Sequence, residues 1–232
     1  GGDPQWVSWA PGRINLIGGH TDYNAGLALP AAINRWISVA LRPRSDGMIR
    51  VRSLDFGGEL EGSLDGFPVL GASWQRFVVG SMDVFGAHHP LPSGFDAVFT
   101  GDVPDGAGLS SSAALTIAWM TMLRAWTGAA VEDLQLAQYA QTVEHEYLGV
   151  KCGLLDQIGS LMARPDQLML VDFQDLSVSP VDIGLRDVCW VVLHSGVRRE
   201  LADSAYLERV QQCQQGLAAI QQHEPTVHGM RD

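Results

Sequence analysis

An aspartate set among apolar residues is suited to accepting a proton. Asp156 stands in "KCGLLDQIGSLM", where Gly153 breaks one helix and Asp156 falls in the first turn of the next. The dipole of a helix favours a carboxylate in its first turn. That does not account for Leu154, Leu155, Ile158, Leu161 and Met162, which put Asp156 at the edge of an apolar face. Upstream, "VPDGAGLSSSAALTIAWM" leads from a loop of Pro104, Asp105, Gly106 and Gly108 into Ser110, Ser111 and Ser112 at the start of a helix. The first N–H groups of a helix lack partners and carry about half a positive charge, which attracts phosphate. One serine suffices for a cap. Three behind Gly-x-Gly favour phosphate binding over a capped helix. A triphosphate of roughly −4 outweighs that half charge, so a cation is needed as well. Mg2+ is the usual choice, with Ser112 and Glu144 as candidate ligands.

A third stretch, "RINLIGGHTDYNAG", runs from Arg13 to Gly26. Its apolar residues Ile14, Leu16 and Ile17 end at Gly18 and Gly19, and His20, Thr21, Asp22, Tyr23 and Asn24 follow. On these residues alone a turn is the plainer reading, because Gly, Asp and Asn all favour turns.

Composition excludes several chemistries. The 232 residues are 46% hydrophobic and 18% charged, enough to build a core. No apolar run reaches membrane-spanning length, and no signal segment opens the chain. Cys152, Cys189 and Cys213 are far apart and odd in number, which favours a reducing, cytoplasmic setting. A formal charge of −11 argues against nucleic acid as a partner. The expected partners are small molecules, and the pattern is silent on oligomeric state. The single lysine, Lys151, rules out a Walker phosphate loop, since Ala107 follows Gly106. Asp55-Phe56-Gly57 lacks the lysine and catalytic loop of a protein kinase, and "HEYLG" lacks the second histidine of a zinc helix.

These residues need elements to position them. Alternation predicts strands near 6–9, 13–17, 36–42, 48–54 and 95–100, with a helix near 74–86. Helices are expected near 110–126, 131–148 and 154–163. In the second of these, Val131, Leu134, Ala137, Ala140, Val143 and Tyr147 mark the buried face, with Glu144 assigned to the other side. Strands at 167–173 and 188–194 and a helix from about 203 complete an α+β layered fold. The shift near 184–187 suggests a boundary between residues 1–185 and the start of a second unit at 186–232.

Together "PDGAGLSSSAAL", "RINLIGGHTDY" and "CGLLDQ" resemble the motifs of the GHMP small-molecule kinases, specifically their galactokinase branch. "HSGVRRELADSAYLERVQQC" resembles the same branch. The resemblance implies a two-lobed α+β fold, with a ribosomal-protein-S5-domain-2-like N-terminal lobe and a truncated C-terminal lobe. It implies ATP-dependent phosphorylation of a sugar's anomeric hydroxyl. Asp156 matches the aspartate that takes the hydroxyl proton, and Arg13 the arginine that stabilises charge beside it. His20, Asp22, Gly153 and Tyr206 match sugar contacts. Gly106, Ala107, Gly108, Leu109, Ser110, Ser111 and Ser112 match the ATP phosphate loop, Ser112 and Glu144 the Mg2+ ligands, and Trp74 a tryptophan near adenine. Galactokinases usually carry glutamate where this chain has Gly19, a residue that contacts the sugar's C6 hydroxyl. The family's last glycine-rich motif is missing, so a fragment of a longer enzyme is expected. A kinase for L-arabinose or another galactose-like sugar, and a sugar-sensing relative without turnover, are the rival readings.

Overall fold

The computed structural model describes residues 2–67, 70–182, 184, 188, 190–193, 196 and 204–231. β1 (Trp6–Asn15) alternates, turning Ser8 and Ala10 inward while Val7 and Trp9 face out. It pairs antiparallel with the long β3 (Pro30–Arg44), Trp6 opposite Leu41 and Asn15 opposite Pro30. The register slips between Pro11 and Arg13. A bulge of this kind re-aims the backbone, and here it falls at Gly12. A Cβ on Gly12 would come within 2.8 Å of the Leu109 carbonyl oxygen, so only glycine fits there.

β4 (Met48–Ser53), β5 (Glu59–Ser63) and β6 (Gly94–Gly101) complete a sheet ordered β1-β3-β6-β4-β5. The β4–β6 pair is parallel and the others antiparallel. α1 (Ser73–Gly86), α2 (Ser111–Thr127) and α3 (Asp133–Tyr147) pack with this sheet in the main core, where Val39, Leu41, Val51, Phe85 and Trp119 are buried. A second sheet joins β2 (Leu27–Ala28), β7 (Gln167–Asp172) and β8 (Ser177–Asp182) in the order β2-β7-β8. The short α4 (Leu155–Leu161) lies in a smaller apolar cluster with Ala28, Ala137 and Val171, and α5 (Ser204–Gln221) follows. Among the described residues no helix is long and apolar enough to cross a membrane.

The α+β expectation holds, with four corrections. β2, β5 and β8 were not expected from the pattern. Each is an edge strand, "ELEGS" with only Leu60 well buried and "SVSPVD" with a proline that an edge tolerates. Over the expected strand at 188–194, residues 188 and 190–193 form none, while 189 and 194 lie outside the described residues. A strand exists only by pairing, and none of the described strands pairs there. Glu144 belongs to the buried side of α3, because it continues the stripe Ala137–Ala140 at helical spacing. Trp74 is a core residue. It is 3% exposed, packs edge-on to Phe99 at 5.2 Å, and donates its indole N–H to the Gly57 carbonyl at 3.2 Å. An indole so enclosed is withdrawn from any nucleotide. Residues 185–187 of the expected boundary lie outside those described.

Trp74→Ala should therefore cost about 3–5 kcal/mol of stability, as large-to-small aromatic core changes do. Urea unfolding measures it. A loss below about 1 kcal/mol would contradict the core placement.

Candidate active site

The bulge in β1 is where three segments meet. The Arg13 N–H donates to the Leu109 carbonyl at 3.1 Å, stitching β1 to the phosphate-loop segment. The Ser160 hydroxyl of α4 donates to the Pro11 carbonyl at 2.7 Å from a buried position. Gly159 lets α4 close on β1, since a Cβ there would sit 3.2 Å from the Arg13 side chain. With both partners fixed, Arg13 grips Asp156 through Nε at 3.0 Å and through Nη2, both on Oδ1. Its Nη1 reaches the Gly108 carbonyl at 3.0 Å.

The other oxygen of Asp156 accepts from the Ser110 hydroxyl at 2.7 Å. Ser110 precedes α2 with left-handed backbone angles, φ 58° and ψ 45°, and makes no side-chain cap. Gly106 and Gly108 also have positive φ, 67° and 74°, so left-handed residues alternate along the loop. Such alternation turns successive N–H groups into an anion-binding concavity. The sequence reading gave all three serine hydroxyls to phosphate. The structure gives that of Ser110 to Asp156 and directs that of Ser111 towards Asp105 at 3.4 Å, which leaves Ser112 at the mouth of α2. Among the described residues Ser112 is engaged through its backbone, its carbonyl accepting from the Thr116 hydroxyl at 2.9 Å.

The polar burst after Gly19 converges on the same place. A Cβ on Gly153 would fall 1.9 Å from Asp22 Oδ2, so the Asp22 carboxylate lies directly on that glycine. Burial, and then the negative Asp156, push the Asp22 carboxyl up from its ordinary range. Tyr206 of α5 faces this corner, where burial followed by Asp22 pushes its phenol up. Its ring lies 5.6 Å from that of His20. The loop is thus more than a turn. It is a floor of hydrogen-bonding groups beside the Arg13–Asp156 pair. Gly19 is the gap in it, where an added Cβ would meet nothing within 4 Å.

Glu144 is 3% exposed, yet its neighbours are polar. Gln157 Nε2 donates to Oε1 at 3.1 Å and the Cys152 thiol to Oε2 at 3.5 Å. Burial first, and then Asp156, push the Glu144 carboxyl up to about 7. Burial likewise pushes the Cys152 thiol up. Gln157 Oε1 is buried without a partner. Carboxylate, hydroxyl and amide oxygens are hard donors, so the types of the residues present fit Mg2+. Among the described residues no group of three His, Cys, Asp or Glu suits a metal alone. A cation here would be shared with phosphate oxygens.

Two features escaped the sequence reading. The Cys152 carbonyl accepts from Gln141 Nε2 at 3.0 Å and His145 Nε2 at 2.8 Å, which fixes the turn carrying Gly153. Their spacing of four residues on α3 was the available signal. The buried Gln157 had none. A groove of about 1360 Å3 touches the phosphate loop at Pro104, Asp105, Ala107 and Leu109 and runs on along Trp9, Trp36 and Trp190. Arg13, His20, Asp22 and Asp156 are outside it, so groove size does not locate this chemistry.

Comparison with known proteins agrees with the geometry. Residues 76–164 match the GHMP kinases N terminal domain, and residues 1–43 the galactokinase galactose-binding signature. A galactokinase of Roseiflexus sp. is 39% identical over 99% of this chain, and one of Exiguobacterium sibiricum 36% over 94%. The chain spans 58% and 57% of those relatives' lengths. The structure of Lactococcus lactis galactokinase complexed with galactose superposes with a TM-score of 0.90 at 32% identity, covering 98% of this chain and 60% of that one.

Glu144 carries a pH signature. Its folded value of about 7 lies above the ordinary 4.5, so between them the folded protein keeps a proton that the unfolded chain has released. Its contribution to stability is fully present below the unfolded value and is lost as pH rises towards about 7. The Tm of Glu144→Gln minus that of wild type should therefore grow between about pH 4.5 and 7 and then level off. A difference that is flat with pH would contradict the buried, charge-poor setting.

Proposed function

From the premise that this chain belongs to the GHMP kinases, with the galactokinase galactose-binding signature at its start, we propose that it forms the sugar- and phosphate-binding part of an ATP-dependent sugar 1-kinase acting on galactose. The observation that carries the reading is the bridge Arg13–Asp156–Ser110. It fixes one carboxylate between a phosphate-binding loop and a floor of sugar-type hydrogen-bonding groups.

Asp22, His20, Tyr206 and the Gly153 backbone orient the sugar so that its anomeric hydroxyl meets Asp156. Both Asp156 oxygens are engaged, by Arg13 and by Ser110. With both oxygens held, the carboxylate orients the hydroxyl first and takes the proton late. That suits a loose phosphoryl-transfer transition state, in which positioning and charge stabilisation dominate. Arg13 holds the carboxylate in place and offsets charge developing beside it. Gly106 to Leu109 present backbone N–H groups to the phosphates of ATP, and Ser112 and Glu144 would hold Mg2+. Mg2+ supplies the positive charge that the helix start lacks. Cys152 and Cys213 are free, in keeping with the cytoplasm. The intact Arg13–Asp156 pair favours turnover over a sensing role.

Asp156→Asn should lower kcat in the intact protein by about 10²–10⁴-fold, read by coupled ADP release with galactose. Near-normal turnover would remove Asp156 from the chemistry.

The gap at Gly19 favours a second reading in the choice of sugar. A charged hydrogen bond from glutamate is worth about 1.5–3 kcal/mol, roughly ten- to a hundredfold in affinity. Without it, L-arabinose, which has galactose's ring pattern but no C6 group, loses little. The ratio of kcat/KM for galactose over L-arabinose should be small in the wild type and rise in Gly19→Glu, for which the loop has open space. A wild-type ratio already strongly favouring galactose, unchanged by Gly19→Glu, would show that position 19 does not read C6.

A further inference from the structure

His20 stands in a left-handed conformation, φ 63°, which a residue with a Cβ adopts only under constraint. Two neighbours with no role so far supply it. Asn24 Nδ2 donates to the His20 carbonyl at 2.8 Å, and the Tyr23 hydroxyl lies 2.6 Å from His20 Nδ1. The Tyr23 ring stands edge-on to Tyr206, with centroids 5.6 Å apart, and edge-on to His20 at 5.8 Å. Three rings thus brace one another at the edge of the floor.

The direction of the Tyr23–His20 bond decides what His20 can do. A phenol, with a pKa near 10, is a stronger donor than a neutral imidazole N–H, and an imidazole nitrogen is the better acceptor. Cys213 of α5 accepts from Asn24 Nδ2 at 3.4 Å, which ties the same corner of the loop to α5.

We propose that Tyr23 is a positioning residue that holds His20 in the Nε2–H tautomer, turning its outward nitrogen into a fixed donor for a sugar hydroxyl. The proposal rests on the sugar-site reading above. Asn24 holds the backbone of the same residue, and Cys213 ties Asn24 to α5. Without the Tyr23 hydroxyl, His20 would populate both tautomers. It would then have to settle into one on binding, which weakens the sugar complex without touching the phosphate side.

The test uses the chain labelled with ¹⁵N-histidine, with the His20 signals assigned by their loss in His20→Gln. Long-range ¹H–¹⁵N spectra distinguish the two tautomers directly and need no sugar. In the wild type His20 should be Nε2–H, and in Tyr23→Phe, which keeps the ring, a mixture. Galactose affinity by calorimetry should fall about two- to tenfold in Tyr23→Phe, with Tm and nucleotide affinity unchanged. An Nδ1–H tautomer in the wild type would overturn the proposal even if Tyr23→Phe failed to fold. So would a tautomer and an affinity both indifferent to Tyr23→Phe. Wild-type protein that keeps Nε2–H, loses it in Tyr23→Phe, yet binds no galactose would support the positioning role and overturn the sugar reading.

Discussion

The ion pair between Arg13 and Asp156 is the interaction on which the site depends, and the backbone around it exists to make it possible. Arg13 lies on a strand and Asp156 in the first turn of a seven-residue helix, 143 positions apart in the chain. They meet because β1 slips its register at Gly12, because Gly159 lets α4 press against Arg13, and because Ser160 ties α4 to the Pro11 carbonyl. The same bulge frees the Arg13 N–H for Leu109, so the phosphate loop is located by the strand that locates the arginine. Loop, strand and helix are one unit.

Charge explains the rest of the arrangement. Asp156 lies close enough to influence both Asp22 and Glu144, and Arg13 is the cation paired with it. Asp22 and Glu144 are pushed up by burial and then by Asp156, which itself stays paired. A pocket with more carboxylates than cations is poorly stable when empty and suited to a ligand that brings positive charge or hydroxyl donors. In the proposed function sugar hydroxyls would answer Asp22 and a divalent cation would answer Glu144, so stability would be given up where binding is gained.

Much of this was legible in the sequence, for identifiable reasons. Helix spacing gave α1 to α4 to within a few residues, and the long alternating strands β1, β3 and β6 were readable in part. The serines and Asp156 stood out because they exceeded what a cap or a first-turn charge requires, whereas the His-Thr-Asp-Tyr run read as a turn until the family resemblance gave it a site. β5 and β8 were not legible, since these short strands bury one side chain and none, too few to leave a pattern. Trp74 misled because a tryptophan's type does not reveal whether its N–H meets a ligand or a carbonyl such as that of Gly57. Ser110 misled in a different way. Nothing local shows that one of three adjacent hydroxyls turns away from the helix mouth to hold a carboxylate 46 residues further along. Glu144 was misplaced by weighing its charge above its spacing from Ala140.

The central claim is that the phosphate loop and Asp156 act as a unit through Ser110. A double-mutant cycle on turnover tests it most directly, with Ser110→Ala and Asp156→Asn made singly and together in the intact protein. Residues that act as a unit give non-additive losses. The account predicts a double variant scarcely slower than Asp156→Asn alone. Losses that multiply, with the double variant slower by the product of the two single effects, would contradict it.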